Sequence, residues 1–210
     1  MVKHRRLHPK PLFDEALLLK CFDQHGIKLS HAKKCWRYLL RHPQASISEV
    51  PGLPALAYEV LAAEFAVLTS KVKVEQRSTD GTIKLLIELQ DGLEIEAVVM
   101  VYDPSTRTES HQETNKGKGA HRATLCVSSQ VGCKMGCSFC ATGTMGLLGD
   151  LTGGEILEQL IHASAASKLP IRNVVFMGMG EPLNNYDHGP QHSARERKAL
   201  FDRKKGPAFP

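Results

Sequence analysis

A 210-residue chain with 27 Lys and Arg against 22 Asp and Glu is mildly basic, at net charge +5 and a pI near 8.9. That balance permits nucleic-acid binding without requiring it. With 42% hydrophobic and 23% charged residues and no apolar run of about 18, the chain reads as globular, with no spanning helix and no membrane partner.

The opening Met1-Val-Lys-His-Arg-Arg has no apolar core of the kind a secretory signal needs. Four of the six cysteines, Cys126, Cys133, Cys137 and Cys140, crowd into fifteen residues. A metal site in a reducing compartment explains that crowding better than disulfides do. The cytoplasm is expected, with an organellar address left open.

Residues 1–70 read as a helical domain. Asp14 is placed to cap a first helix that Gly26 ends, with Leu17, Leu18, Cys21 and Phe22 on one face. Ser30 is expected to cap a second, carrying Cys35, Trp36, Leu39 and Leu40 inside. That helix exposes Lys33, Lys34, Arg37 and Arg41, either as a solvated face or as an RNA-backbone contact. A third apolar-periodic stretch runs through Leu56, Val60, Leu61, Phe65 and Leu68. Cys21 and Cys35 fall on apolar faces, as core cysteines do.

Residues 71–120 change character. Alternating or apolar runs at Val72–Val74, Thr82–Leu89 and Leu93–Tyr102, with turns at Asp80-Gly81 and Asp91-Gly92, predict a small antiparallel sheet. Pro104 to Gly119 is a polar run expected to form a surface loop. Residues 121–187 then read as α/β. Ala123–Val127 is strand-like, Thr152-Gly-Gly-Glu155 is a capping box, and its helix shows Ile156, Leu157, Leu160 and Ile161 on one face. Arg172–Met177 reads as a buried parallel strand. Strand, helix, strand is a unit of a barrel, whose sites collect at the C-terminal ends of strands. Two motifs fall there: Cys133–Cys140 and Gly178-Met-Gly-Glu181. The fold class expected is an α+β N-terminal part followed by the start of an α/β partial TIM barrel.

Cys133, Cys137 and Cys140 stand at C-x3-C-x2-C spacing in a glycine-containing loop. Three thiolates are one short of a closed zinc site, unless Cys126 or His121 supplies the fourth. They suffice to hold three irons of a [4Fe–4S] cluster, leaving one open for S-adenosylmethionine (SAM).

That spacing resembles the radical SAM signature. Arg122-Ala-Thr-Leu-Cys126-Val-Ser-Ser-Gln-Val-Gly-Cys133, Cys137-Ser-Phe-Cys140-Ala-Thr-Gly and Asn173-Val-Val-Phe-Met-Gly-Met-Gly-Glu-Pro182-Leu resemble the RlmN/Cfr-type RNA (adenine-C2) methyltransferases, from about Leu12 to Asn185. The resemblance implies methylation of an adenine in large-subunit ribosomal RNA, with transfer RNA as a further substrate in some members, and an electron donor to reduce the cluster. It implies cluster ligation by Cys133, Cys137 and Cys140. Gly178, Gly180 and Glu181 would receive the amino group of SAM, and Phe139 would lie against its adenine or simply pack. Glu96 matches the family's proton acceptor, with Glu94 as neighbouring competitor and an outward-facing strand residue as alternative. Cys126 matches the resolving cysteine, or is a buried strand cysteine.

After Asp187 the resemblance stops. Residues 188–210 form an unmatched basic tail, and no cysteine follows Cys140, so the family's methyl-carrying cysteine has no counterpart. The resemblance therefore implies a C-terminally truncated member, and the alternative reading is a non-catalytic fragment that binds cluster or RNA. Oligomeric state is not indicated.

Overall fold

The computed structural model describes residues 5, 7–102 and 122–186. The polar run 104–119, His121 and the tail 188–210 lie outside them.

Three helices, α1 (Glu15–Gln24), α2 (Ser30–Arg41) and α3 (Ala55–Glu64), enclose a core of Leu12, Leu18, Phe22, Leu39, Leu61 and their neighbours. Asp14 caps α1 by accepting from the Leu17 N–H at 2.9 Å, and Gly26 leaves it at φ +64°. Ser30 is instead the first residue of α2. The cap position is Leu29, already helical in φ and ψ, and no side chain caps there. Leu56 stands one residue off the buried stripe Ala57, Val60 and Leu61 and is exposed. Phe65 leaves the helix altogether, forming β2 (Phe65–Ala66) in parallel pairing with β1 (Lys10–Pro11).

The remaining strands are β3 (Lys71–Arg77), β4 (Ile83–Glu88), β5 (Glu94–Tyr102), β6 (Arg122–Cys126), β7 (Gln130–Cys133), β8 (Gly146–Asp150) and β9 (Ile171–Val175). Five of them make one mixed sheet in the order β3-β4-β5-β6-β9. The pairings are antiparallel except β6–β9, which is parallel. The sheet runs on past residue 120, because β5 pairs with β6. β7 and β8 form a separate hairpin. β3 is exposed along its whole length and carries Lys71, Lys73 and Arg77 in ion pairs with Glu88, Glu94 and Glu75, a charged edge that discourages further pairing. β9 is half-exposed rather than buried, since it has one neighbour in the sheet.

The helix α4 (Gly153–Ala166) starts at the expected capping box: the Glu155 N–H donates to Thr152 Oγ1, and the Thr152 N–H donates to Glu155 Oε2. Its apolar residues do not share one face. Ile156 and Leu160 pack on the sheet through Leu85, Ile95 and Leu125, whereas Leu157 and Ile161 pack on the helical core. The helix is wedged between two cores, so residues that alternate with its apolar positions are buried too. Glu158 and Gln159 are fully buried.

Glu158 receives the N–H and hydroxyl of both Thr69 and Ser70. Burial pushes its carboxyl up to about 7, with those hydrogen bonds opposing the shift. A carboxyl raised on folding stabilises most when protonated, and that contribution is lost as pH rises through the folded value. The stability of the chain relative to Glu158→Gln should therefore fall between about pH 5 and pH 8. Denaturation of both proteins across that range checks it; parallel pH profiles would contradict the assignment.

Candidate active site

The site is built around Val127–Gln130, the three residues between β6 and β7 and the first residue of β7. Gln159 reaches from α4 and clamps Ser128 on both sides: the Ser128 N–H donates to Gln159 Oε1 at 2.8 Å, and Gln159 Nε2 donates to the Ser128 carbonyl at 2.9 Å. The Ser128 hydroxyl donates to the Glu96 carbonyl at 2.6 Å and accepts from the Met179 N–H at 2.9 Å. The Ser129 and Gln130 N–H groups both donate to the Met179 carbonyl. Asn185 Nδ2 donates to the carbonyls of Ser129 and Leu151. Gln130, also fully buried, donates to Asp150 Oδ1 at 2.7 Å and accepts from the Glu181 N–H at 2.9 Å.

These bonds bring the turn after β9 against the segment that leads into the cysteines. The two glycines of the turn are required by the chain's own backbone. A Cβ on Gly178 would stand 2.7 Å from the Val127 carbonyl oxygen, and one on Gly180 would stand 2.6 Å from Gln130 Cβ. Gly180 also holds φ +97°.

The three cysteines are not all in a loop. Cys133 is the last residue of β7 and is buried, Cys140 is half-buried, and Cys137 is exposed. The strand run Ala123–Val127 does not lead straight into them; the clamped turn and β7 intervene. β7 lies against β8 so closely that a Cβ on Gly132 would fall 1.9 Å from the Gly146 oxygen. Beyond Cys133 the loop is drawn in by the Cys140 N–H donating to the Cys137 carbonyl at 3.1 Å. Two of the three sulfurs already meet N–H donors. The Met135 N–H points at Cys133 Sγ at 3.5 Å, and backbone N–H groups of Gly143 and Thr142 hold the Cys140 thiol below its ordinary value. Such donors suit thiolates that carry a cluster. The three sulfurs do not gather within 4.8 Å of one another, whereas one tetrahedral zinc would hold them about 3.8 Å apart.

The cysteine loop and the turn after β9 touch: Asn184 Nδ2 donates to Met135 Sδ at 3.5 Å. In the same two segments Phe139, Met177 and Leu183 are exposed at 91%, 80% and 73%. Phe139 is thus exposed rather than packed among the described residues. Glu181 caps the short turn Pro182–Asn185 by accepting from the Leu183 N–H at 3.0 Å.

Cys126 and Glu96 lie on the face of the sheet opposite α4. Ile95, Ala97, Val99 and Leu125 point into the core, so the alternating Glu96, Val98 and Cys126 point away, and Val98 is directly opposite Cys126. Partial burial pushes the Cys126 thiol up against an opposing hydrogen bond from Met177. Glu96 is paired with Lys84 at 2.6 Å and is half-buried; Glu94 is paired with Lys73. The sequence did not single out Ser128, Gln130, Gln159, Asp150 or Asn185. Its one signal was the polar trio Ser128-Ser-Gln130 set between valines.

A solved radical SAM methyltransferase from Sphaerobacter thermophilus matches this structure with a TM-score of 0.68 and 33% identity, over 90% of this chain and 52% of that one. The fold is thus a mixed α/β one that matches a radical SAM methyltransferase. The dual-specificity RNA methyltransferase RlmN of Sulfurovum sp. is 39% identical over 159 residues, 74% of this chain and 43% of that protein. RlmN of Campylobacter concisus is 40% identical over 157 residues, 73% of this chain and 40% of that protein. Over the region it spans, the chain is similar to the RlmN-type RNA methyltransferases. It spans about half the length of the relatives it matches. No family model matches the chain.

Gln130→Ala should leave the Glu181 N–H and Asp150 without their partner and cost on the order of 2–4 kcal/mol. Gly180→Ala, strained by both φ and contact, should cost about 1–3 kcal/mol. Chemical denaturation measures both; a Gly180→Ala protein as stable as the parent would refute the close-approach argument.

Proposed function

We propose that the chain forms the cluster- and SAM-binding part of an RNA methyltransferase that acts on adenine C2 of large-subunit ribosomal RNA. The carrying observation is the contact between the cysteine loop and the Gly178–Glu181 turn, both locked onto Val127–Gln130. Cys133, Cys137 and Cys140 would hold a [4Fe–4S] cluster, which with SAM and an electron donor supplies radical chemistry. The sheet β5-β6-β9 is read as the opening of a partial TIM barrel, with a helical domain at residues 1–70 before it. Transfer RNA is a second substrate class under this reading, and the cytoplasm its compartment. Among the described residues no helix is long and apolar enough to cross a membrane.

The residues divide the remaining work. The Glu181 carboxylate, with one oxygen on the Leu183 N–H, has its second oxygen for the ammonium of SAM. Gly178 and Gly180 fix the path of the backbone beside it. Phe139 offers an exposed ring for the adenine of SAM to stack on. Glu96 would take a proton from the substrate on exchanging its Lys84 partner. The Cys126 thiol, pushed up by partial burial, would once deprotonated attack the sulfur of a covalent intermediate. A disulfide would form as that sulfur's bond to substrate carbon breaks, with the electron pair leaving on carbon. The second sulfur would come from a cysteine outside the region this chain spans. The open face of the sheet puts Glu96 and Cys126 on one side, at the end nearest the cysteine loop.

Anaerobic reconstitution checks this directly. The chain should take up about four irons, Cys133→Ser, Cys137→Ser and Cys140→Ser should each lose the cluster, and Cys126→Ser should keep it. Zinc bound in place of iron, or a cluster lost in Cys126→Ser, would contradict the ligand set.

A further inference from the structure

A second group of metal-type ligands lies in the helical part of the molecule, away from the cysteine loop. Cys21 lies in the last turn of α1, His25 is the residue that follows and caps that helix, and Glu64 ends α3 beside them. Cys21 Sγ lies 3.8 Å from His25 Nδ1 and 3.9 Å from Glu64 Oε1, and one ligand atom from each residue falls within 4.8 Å of the others. We propose that Cys21, His25 and Glu64 bind a single divalent transition-metal ion of the zinc type, fastening the end of α1 to the end of α3.

The geometry fits such an ion. With metal bonds near 2.3 Å to sulfur and 2.0–2.1 Å to nitrogen and oxygen, tetrahedral ligand atoms lie about 3.5 Å apart. A few tenths of an ångström of closure would bring the Cys21–His25 and Cys21–Glu64 separations to that value. The donor set of thiolate, imidazole and carboxylate selects zinc and its neighbours over magnesium or calcium. Both helices present their C-terminal ends here, and the partial negative charge of those ends favours a cation. His25 is exposed, so water can reach the fourth position.

The surrounding groups are compatible with this role. Lys10 pairs with the other carboxylate oxygen, Glu64 Oε2, leaving Oε1 toward Cys21. It thereby orients the carboxylate, as an outer partner of a metal ligand does. His25 Nδ1 is 2.9 Å from the carbonyl of Cys21, a bond that coordination through Nδ1 would replace and coordination through Nε2 would keep. Burial and Glu64 both push the Cys21 thiol up. Binding therefore forms one sulfur–metal bond, breaks one S–H bond and releases one proton to solvent, with no change of oxidation state.

Cobalt(II) titration of the full chain carrying Cys133→Ser, Cys137→Ser and Cys140→Ser isolates this site. One equivalent of cobalt should give a thiolate-to-cobalt charge-transfer band that zinc abolishes by displacement. The band should vanish in Cys21→Ser. His25→Ala, at an exposed position that leaves the core intact, and Glu64→Gln should each weaken cobalt binding about tenfold or more. Absence of the band, its survival in Cys21→Ser, or unchanged affinity in both His25→Ala and Glu64→Gln would overturn the proposal. Because the cluster cysteines are absent from the test protein, the outcome is independent of the methyltransferase reading.

Discussion

The double hydrogen bond between Gln159 and the backbone of Ser128 is the constraint on which the site rests. It fixes one peptide segment from both its donor and its acceptor side, in a fully buried position. Truncating Gln159 would orphan a buried N–H and a buried carbonyl, at about 1–3 kcal/mol each. The amide can serve because α4 is pinned from two sides, by the helical core and by the sheet. Its start is held by Arg5, which bridges Glu155 and Asp91 in charge-assisted pairs. Helix placement, clamp and turn thus form one chain of cause, and the cysteine loop hangs from its end.

From that segment outward the polar groups distribute the chemistry. Ser128 ties β5 and the turn after β9 to one hydroxyl, so Glu96 and Met179 cannot move independently. Gln130 does the same for Glu181 and Asp150, joining the turn to the β7–β8 hairpin. The residues left exposed between these anchors, Phe139, Met177 and Leu183, are apolar. Exposed large apolar groups beside a rigid polar scaffold are what a ligand-binding edge requires.

Much of this was legible from local pattern. Asp14 and Thr152 cap because an oxygen placed before a helix meets free N–H groups in any context. Asp80-Gly81 and Asp91-Gly92 turn because glycine accepts positive φ, as both do. The cysteine spacing and the glycine motif were readable as chemistry for the same reason: each is contiguous. What was not legible depends on distant partners. Glu158 and Gln159 are polar residues between apolar pairs, and their burial follows only from the second core that covers them. Leu56 and Phe65 fitted a helical period that the third helix, ending at Glu64, does not follow to the end. Cys21 and His25 are one turn apart in sequence, but Glu64 joins them only through the packing of α1 on α3.

The most direct test of the account is the electron paramagnetic resonance spectrum of the reduced, reconstituted chain with and without SAM, the latter labelled with nitrogen-15 at its amino group. If the locked turn presents Glu181 beside an open iron, SAM should shift the cluster signal and the label should couple to it. A cluster held by Cys133, Cys137 and Cys140 whose spectrum is untouched by saturating SAM would contradict the site described.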